Sequence, residues 1–450
     1  MSNNLKNSVR LLIQIEKNYF DEFQYEKINY WPILRLILWK NLTKSGNIKV
    51  YNKQLSLIIK IIKWLIYNIK NYFVSDNYFK NSIFFFGVPT AIVNVKKNNK
   101  RYDRIFDPIL KNLSKKKYKK VYFNNSFISN LNMAYPINGI NCYYNLILKD
   151  YKVPIELEVL IYKISKNHNL DVLNILYEFR NEFNNLTTWY LYTKKFLKKY
   201  TKIRKVFFYP WYASNSMGII LALKEKGIET IDIQHGEQGS YQGMYTHWKK
   251  VPQNGFNLLP DYFYCWKKKI IEIHNKSSNY KFKLKHKSLI FKDYWGRELE
   301  KGKIKKINNS KIVILFCLQP YTEKSESTLI PDFFIEYMNK NLSRDIKIII
   351  RIHPNDKKII KHLKKKISGF KFKDMVSIDV GKFSLYDSFS EATHCLSKSS
   401  TATIQALNYG LKSAFFGKEV KEKFSYVLRD ISFLDHKKNN LENWLFNTKT

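Results

Sequence analysis

Three short polar segments of the 450-residue chain carry residue types that can do chemistry, and each directly follows a predicted strand. The first covers residues 232–239. In it, His235 can act as a general base near neutral pH, Gly236 lets the backbone approach a ligand, and Glu237 is the nearest carboxylate. The competing interpretation is a loop histidine held by backbone hydrogen bonds. The position after a strand favours chemistry, because open parallel sheets bind ligands beyond the carboxyl ends of their strands.

The second segment covers residues 349–354, where a run of isoleucines ends in Arg351, His353 and Pro354. Strand alternation places Arg351 and His353 on the same face. Together they suit a phosphate group, through positive charge and donated hydrogen bonds. The alternative is an edge arginine beside a histidine that is satisfied within the core.

The third segment covers residues 397–403, where Lys398, Ser399, Ser400 and Thr401 precede a helical pattern. Hydroxyl groups at a helix start can cap the helix, and the free N–H groups at its positive end bind anions. Lys398 adds a cation. An ordinary serine or threonine cap with no ligand is the alternative.

Short apolar runs alternate with helical patterns from about residue 81 onward. The first series predicts strands at 83–86, 121–123, 206–209 and 230–233, and a helix at 216–226 that ends at Gly227. The second series predicts strands at 311–318, 346–352, 376–380, 393–396 and 413–416, and helices at 331–342, 357–367 and 401–409. Two such series predict an α/β protein in which two Rossmann-like parallel-sheet domains face a cleft.

Changes in composition predict four regions along the chain. They are a mainly helical N-terminal segment (1–80), two Rossmann-like domains (81–270 and 310–420) and a C-terminal helical segment (421–450). Residues 150–200 are predicted to be helical, and the highly charged stretch 267–309 is predicted to join the two domains.

Two features of the N-terminal segment predict helices. Pro32 fits the first turn of a helix, where its missing N–H is no loss. Residues 55–74 have one apolar and one basic face and contain Trp64 and Tyr67. Such a helix can lie in the interface of an anionic membrane, or it can pack on the domain with its lysine stems at the edge.

The net charge of the chain indicates which classes of binding partner to expect. The chain has 78 basic and 37 acidic residues, a net charge of +41, so it will attract polyanions. The excess of lysine, asparagine and isoleucine is also what an AT-rich coding sequence produces. No zinc finger, RNA-recognition motif or helix-turn-helix pattern is present, which argues against a specific nucleic-acid partner.

Cysteine spacing and hydropathy predict the compartment. The four cysteines are far apart and form no CxxC pair, which predicts a reducing compartment and no zinc ribbon. Cys317 and Cys395 lie in strand patterns and are predicted to be buried. The chain shows no signal peptide and no apolar stretch of about 20 uncharged residues. We therefore expect a cytoplasmic protein, a candidate for peripheral contact with anionic lipid of the inner membrane.

The order and spacing of the three segments over residues 205–420 are more specific than any one of them. A His-Gly turn is followed by His-Pro and then, one strand-helix-strand unit later, by Ser-Ser-Thr. This arrangement resembles GT-B glycosyltransferases that use cytidine-nucleotide donors. The group includes bacterial sialyltransferases and polysialyltransferases, capsule Kdo-transferase-like proteins and CDP-glycerol transferases. The Gln-His-Gly turn is also similar to turns in surface-carbohydrate biosynthesis proteins.

The resemblance implies a nucleotide-sugar donor and a set of donor-binding residues. These are Arg351, His353, Pro354, Lys398, Ser399, Ser400, Thr401 and Gln405. Many relatives have glutamate at the position of Gln405, so a charged ribose contact is absent here, although an amide still accepts a hydrogen bond. No Asp-x-Asp motif is present where a donor diphosphate would bind, and the group it resembles works without a catalytic metal. We therefore expect no metal or other cofactor.

The catalytic base is left open among four residues that the resemblance and the loop positions suggest. They are His235, Glu237, Asp103 and Asp107, the last two from the segment Asp103–Pro108. The expected reaction is transfer of a sialic-acid-like, Kdo-like or similar sugar from a CMP-linked donor to a lipopolysaccharide or capsule glycan. The alternatives are a CDP-glycerol-type polyol-phosphate transferase, a UDP-sugar-using GT-B enzyme or sugar-nucleotide epimerase, and a non-catalytic protein that binds polyanions.

Overall fold

A six-stranded parallel sheet forms the centre of each of two α/β units. Unit 1 comprises Met1–Ile92 and Arg101–Ile290, and unit 2 comprises Val93–Lys100 and Phe291–Thr450. The computed structural model describes residues 5–43, 83–88, 91–95, 99–110, 113, 118–122, 133, 150–199, 202–236, 238–265, 268–280, 283–286, 311–319, 330–341, 345–353, 356, 359–424, 430–434 and 438–446. The predicted amphipathic helix at 55–74, Glu237 and Pro354 lie outside these ranges.

Sixteen strands lie within the described residues. They are β1 (Gln24–Tyr25), β2 (Ile28–Asn29), β3 (Ile83–Gly87), β4 (Ile92–Val95), β5 (Lys100–Asp103), β6 (Tyr118–Tyr122), β7 (Lys205–Phe208), β8 (Glu229–Ile233), β9 (Tyr262–Cys265), β10 (Lys283–His286), β11 (Ile312–Cys317), β12 (Ile346–Arg351), β13 (Val376–Asp379), β14 (His394–Ser397), β15 (Lys412–Phe415) and β16 (Ser432–Phe433).

The helices of unit 1 are α1 (Leu5–Tyr19), α2 (Trp31–Thr43), α3 (Asp107–Leu110), α4 (Ile155–Asn167), α5 (Val172–Lys199), α6 (Ser214–Lys224) and α7 (Lys268–Ser277). Those of unit 2 are α8 (Asp332–Lys340), α9 (Ile359–Ser368), α10 (Leu385–Phe389), α11 (Thr401–Tyr409), α12 (Val420–Lys423) and α13 (Lys438–Phe446). Within these described residues, no helix has both the length and the apolar character needed to cross a membrane.

The sheet of unit 1 has the strand order β10-β9-β8-β7-β3-β6. Its neighbouring strands β3 and β7 carry phenylalanine side chains on both faces, as expected of a parallel sheet covered by helices. Register aligns Phe85 with Phe207 and Phe86 with Phe208, and both pairs stack, with ring centroids 4.8 and 5.7 Å apart. Because β3 has β6 on one side and β7 on the other, the chain leaves β3 and β7 in opposite directions. A crevice for ligands is expected at that point.

The N-terminal helices belong to the core of unit 1 rather than to a separate segment. α1 and α2 bury Leu12, Ile15, Trp31 and Leu34 against the sheet's helices. α2 begins at Trp31, so Pro32 lies in its first turn as predicted. Helices α4 and α5 fill the stretch 150–200, which confirms the helical prediction there.

The sheet of unit 2 has the order β13-β12-β11-β14-β15-β16, with β11 between β12 and β14. The prediction of two parallel-sheet α/β domains is confirmed, since both sheets are parallel throughout. The charged stretch 267–309 was expected to join the domains, but α7 and β10 within it belong to unit 1. α7 exposes Lys269 and buries Ile270, and a one-sided helix of that kind leaves no long apolar run in the sequence.

Candidate active site

Close packing fixes the carboxyl ends of β3 and β7 in unit 1. A Cβ atom on Gly87 would lie 2.5 Å from the ring of Tyr209 and 2.9 Å from Phe106, so only glycine fits there. The Tyr209 hydroxyl lies 2.9 Å from the Val88 carbonyl oxygen and 2.8 Å from Asp103 Oδ2. Tyr209 therefore crosses the crevice and links the loops on its two sides.

Asp103 and Asp107, two of the candidate bases, are fully buried. Asp103 accepts hydrogen bonds from the Tyr122 hydroxyl at 2.6 Å and from backbone N–H groups, and Asp107 pairs with Lys120. Burial raises the pKa of Asp107, and the charge of Lys120 opposes this. Both carboxylates are committed to the fold and neither reaches an exposed surface, so we do not retain them as candidate bases.

Asp232, near the end of β8, is a third buried carboxylate. It accepts the Trp211 backbone N–H at 3.1 Å and the Tyr245 hydroxyl at 2.7 Å. Burial raises its pKa well above the usual range, and these two hydrogen bonds only partly oppose the shift. Asp232 thus joins the loop after β7 to the segment after β8, and its burial favours the protonated form.

His235 lies in the loop that follows β8, as predicted, and is partly buried. Its Nε2 is 2.9 Å from the Tyr212 hydroxyl, which comes from the loop after β7. Burial lowers the pKa of His235 to about 4, and the charge of Arg104 adds to the lowering while the Ile233 backbone opposes it. The imidazole is therefore neutral at pH 7. No atom of the residues that the structure describes lies within 4 Å of a Cβ built on Gly236, so the backbone there has room for a ligand.

The N-terminal helices hold the chain that follows this loop. The guanidinium of Arg35 donates from Nε to the Gly243 carbonyl and from Nη2 to the Thr246 carbonyl, both at 2.8 Å. Arg35 also pairs with Glu16 at 3.0 Å, and both side chains are fully buried. Glu16 in turn accepts the backbone N–H groups of residues 249 and 250. The sequence pattern gave no sign that α1 and α2 position this segment.

In unit 2, hydrogen bonds of serine and threonine hydroxyl groups hold the turn from β14 into α11 in place. Ser397 Oγ accepts the Ser400 N–H at 2.9 Å and lies 2.7 Å from Thr403 Oγ1. Ser400 caps the helix by accepting the Ala402 N–H at 3.2 Å. A Cβ on Gly417 would lie 2.6 Å from the Lys398 carbonyl oxygen, so the loop after β15 passes close beside the turn.

Several polar groups at this turn make no hydrogen bond to any described residue. The Ser399 side chain is 6% exposed and Gln405 on α11 is also 6% exposed, and neither side chain has a described partner. Lys398 is partly buried and makes no ion pair with the described residues. The turn therefore brings a hydroxyl, an amide and a cation to one helix start, as predicted from the sequence.

Arg351 ends β12 and is engaged within unit 2. It pairs with Asp379 at 2.5 Å, donates to Ser388 Oγ at 2.7 Å and donates to the Phe383 carbonyl at 2.8 Å. Arg351 thus orders the loop after β13. Because its guanidinium is already occupied by these partners, the structure does not favour direct phosphate binding by Arg351. His353 follows on the same strand end and is partly buried. Since all strands are parallel, these residues and the Ser397–Thr401 turn lie at one edge of the sheet.

Three polar side chains of unit 1 were missed in the sequence: Arg104, Tyr212 and Gln238. Tyr212 could have been found from its position just beyond a predicted strand, and Arg104 from its place beside Asp103. No signal in the sequence marks Gln238 as buried. Across the part of the chain that the structure describes, no group of three or more His, Cys, Asp or Glu side chains is arranged to hold a metal ion.

Comparison with known proteins gives likeness to solved structures only. No protein-family model matches the chain, and a search of curated proteins found no match. Among solved structures, a UDP-GlcNAc 2-epimerase from Methanocaldococcus jannaschii in complex with UDP-GlcNAc and UDP is 14% identical, with a TM-score of 0.48, over 82% of this chain and 93% of its own.

Two further solved structures give similar values. A trehalose-6-phosphate synthase is 9% identical over 82% of this chain and 92% of its own, with a TM-score of 0.45. The wall teichoic acid polymerase TagF is 11% identical over 87% of each chain, with a TM-score of 0.41. Likeness at this level concerns the arrangement of the elements and carries no argument about activity.

Proposed function

We propose that this chain is a GT-B glycosyltransferase that transfers a sugar from a nucleotide donor to a glycan of the bacterial surface. The observation that carries the proposal is the turn between β14 and α11. There Ser399 and Lys398 stand without described partners at the start of a helix. A helix start that presents a hydroxyl and a cation suits the phosphate of a nucleotide, because the helix dipole also favours negative charge there.

The donor residues would act mainly by charge and position. As the bond to the anomeric carbon breaks, negative charge builds up on the departing nucleotide. Lys398 and the start of α11 would offset that charge, and Gln405 would hydrogen-bond the ribose. Arg351 would contribute indirectly, because its hydrogen bond to Ser388 fixes α10 beside the same sheet edge.

On the acceptor side, His235 is the base that we propose. Its neutral imidazole can take the proton of an acceptor hydroxyl as that hydroxyl attacks the sugar. The Tyr212 hydroxyl now occupies Nε2 and Nδ1 is buried, so an acceptor must displace the Tyr212 hydroxyl. Glu237, in the same loop, is the alternative base. The acceptor would be a lipopolysaccharide or capsule glycan at the cytoplasmic face of the inner membrane, where a net charge of +41 favours anionic lipid and acidic glycan.

The identity of the nucleotide rests on the motif resemblance, which favours CMP. A thermal-shift series with CMP, CDP, UDP and GDP at equal concentrations tests it, because a specific ligand stabilises the folded state by mass action. We expect CMP to give the largest shift. A shift with CDP would favour a polyol-phosphate transferase, and a shift with UDP or GDP alone would remove the cytidine assignment. No shift with any nucleotide would refute the enzyme proposal.

Variants connect the shift to the turn. Ser399→Ala and Lys398→Gln should each reduce the CMP shift, since each removes a group proposed to contact phosphate. Ser368→Ala and Lys364→Gln are matched controls on the exposed side of α9 and should leave the shift unchanged. Transfer and donor-hydrolysis assays with CMP-sialic acid, CDP-glycerol and UDP-sugars then identify the donor. A protein that only binds polyanions would show steeply salt-dependent binding that none of these substitutions changes selectively.

A further inference from the structure

The turn between β5 and α3 holds Arg104 in a fixed backbone position. Asp103 Oδ1 accepts the backbone N–H groups of Ile105 and Phe106, each at 2.8 Å. The N–H of Arg104 itself donates to the Ala91 carbonyl at 3.1 Å. The backbone of Arg104 is therefore held in place at the carboxyl edge of the unit 1 sheet.

A chain of contacts connects this turn to His235. Asp103 contacts the Tyr209 hydroxyl, and the loop that begins at Tyr209 carries Tyr212, which contacts His235. In agreement with this chain of contacts, the positive charge of Arg104 contributes to the lowered pKa of His235. Arg104 and His235 thus lie at the same part of the edge.

The guanidinium of Arg104 has no partner among the described residues. It makes no hydrogen bond and no ion pair with them, and its Nε is fully buried. The two carboxylates nearest in sequence are occupied, Asp103 by tyrosines and Asp107 by Lys120. A buried polar donor without an acceptor is unfavourable, and arginine matches the geometry of carboxylate and phosphate. We therefore expect the guanidinium of Arg104 to bind an oxyanion.

Gln238 provides a second and independent observation. It comes three residues after His235, is 3% exposed, and neither its amide oxygen nor its amide nitrogen has a hydrogen-bond partner in the described structure. Native proteins leave few buried polar side-chain atoms unsatisfied. An amide with both atoms free matches a group that donates and accepts, such as a sugar hydroxyl.

We propose that Arg104 and Gln238, beside His235, form a subsite of unit 1 that binds a hydroxylated ligand carrying an oxyanion. Arg104 binds the carboxylate or phosphate, and Gln238 binds a neighbouring hydroxyl. This inference rests on the proposed glycosyltransferase function, because it makes the acceptor an acidic sugar or a sugar phosphate. It assigns Arg104 to binding and leaves the proton transfer to His235.

Calorimetric titration of the full chain with four small probes tests the subsite. Glucuronate carries a carboxylate, glycerol 3-phosphate carries a phosphate, and glucose and glycerol are their neutral counterparts. We expect the charged probes to bind and the neutral ones to bind at least about 10-fold more weakly, since hydrogen bonds to charged groups are the stronger ones. The stronger of the two charged probes identifies the acceptor anion. Equal binding of charged and neutral probes overturns the proposal.

Arg104→Gln should weaken binding of the charged probe about 10-fold or more, and Arg104→Lys should weaken it less because the charge remains. Gln238→Leu should weaken binding while the preference for the charged probe remains. Arg10→Gln is the control, since it removes the same charge from an exposed site on α1. Equal weakening by Arg10→Gln and Arg104→Gln overturns the proposal, because it would indicate diffuse attraction to the basic surface.

Stability and nucleotide binding complete the test. Arg104 donates to no described side chain, so Arg104→Gln should fold with an unchanged or higher urea midpoint; if it does not fold, Arg104→Lys decides. The CMP thermal shift of Arg104→Gln should equal that of the unmodified chain. Nucleotide binding without anion binding overturns the subsite alone. Anion binding through Arg104 without any nucleotide shift retains the subsite and refutes the transferase.

Discussion

Asp232 in unit 1 and Asp379 in unit 2 occupy comparable places, each near the carboxyl end of a parallel strand and each holding a neighbouring loop. Asp232 accepts only a tyrosine hydroxyl and a backbone N–H, and burial raises its pKa. Burial would also raise the pKa of Asp379, but the hydrogen bond from Ser388 and the charge of Arg351 outweigh it, and the pKa is lowered.

The difference shows that partners, rather than position in the topology, set the charge of a carboxyl group. The edge of the unit 1 sheet is built from tyrosines, tryptophans and buried aspartates, and among the described residues discussed above its one cation without a partner is Arg104. At the edge of the unit 2 sheet, Arg351 pairs with Asp379. An edge with a single unpaired cation suits binding of one specific anion, and an edge ordered by an ion pair suits the support of a phosphate-binding turn.

The largest expected effect concerns how stability changes with pH. An unfolded aspartate has a pKa of about 3.9. The pKa of Asp232 is raised on folding, so its unfavourable contribution grows as pH rises above about 4, and Asp232→Asn should gain stability over the unmodified chain as pH goes from 4 to 7. The pKa of Asp379 is lowered, so its contribution is complete above about pH 4 and is lost below it. Urea midpoints of Asp232→Asn, Asp379→Asn and the unmodified chain, measured at a series of pH values, check both directions. Equal slopes for the two variants would break the comparison.

Arg351→Leu should lower the free energy of unfolding by about 2–4 kcal/mol, because Asp379 would remain partly buried without its cation. The matched control is Arg180→Leu on α5, whose pair with Glu158 is exposed and whose loss should change stability by about 0–1 kcal/mol. Urea unfolding of both variants provides the measurement. Similar small losses would mean that Arg351 is held for a ligand rather than for Asp379.

Gly87→Ala should destabilise the protein by about 1–3 kcal/mol, because the new methyl group overlaps the Tyr209 ring. Gly236→Ala meets no atom within 4 Å and should change stability by no more than about 0.5 kcal/mol. If a ligand approaches the His235 loop, Gly236→Ala should nevertheless weaken glucuronate or glycerol 3-phosphate binding. Unfolding and titration of both variants separate packing from binding. Unaltered binding in a stable Gly236→Ala protein would count against a site at that loop.

Ser400→Ala should lower the free energy of unfolding by about 1 kcal/mol, since it removes the cap of α11. Ser399→Ala, at the neighbouring position, removes no described hydrogen bond and should change stability by no more than about 0.5 kcal/mol. Thermal unfolding in the absence of nucleotide is the measurement. A larger loss for Ser399→Ala than for Ser400→Ala would show that Ser399 is structural.

The alternating pattern of strands and helices allowed most of unit 2 and the core of unit 1 to be predicted. The segment Ser397–Thr401 was predicted to follow a strand and to cap the next helix. This could be predicted because a serine or threonine cap depends only on residues next to it in sequence. Strands β9 and β10 were not predicted. β10 reads Lys-Leu-Lys-His, and an edge strand with lysines has no apolar run to mark it.

The roles of individual charged residues were harder to predict than the elements that carry them. Asp103 and Arg104 are adjacent in sequence, and nothing local shows that Tyr122 and Tyr209 satisfy the aspartate while the arginine stays unpaired. Arg351 was expected to bind phosphate. Its partner Asp379 was not recognised in the sequence, because the two residues are 28 positions apart. Contacts between residues far apart in sequence decide which charged side chains are paired. The spacing of residues along one sequence does not reveal such contacts.

The bond network of Arg35 has a practical consequence for shortened versions of this protein. Removing the first 43 residues would leave the carbonyl groups of Gly243 and Thr246 without their buried donor and would open the space now filled by Trp39. Such a truncation would act on the chain just beyond His235 although it cuts nothing near that residue in sequence. Loss of activity in an N-terminal deletion would therefore reflect a misplaced loop, and the deletion could not be used to assign membrane binding to the removed residues.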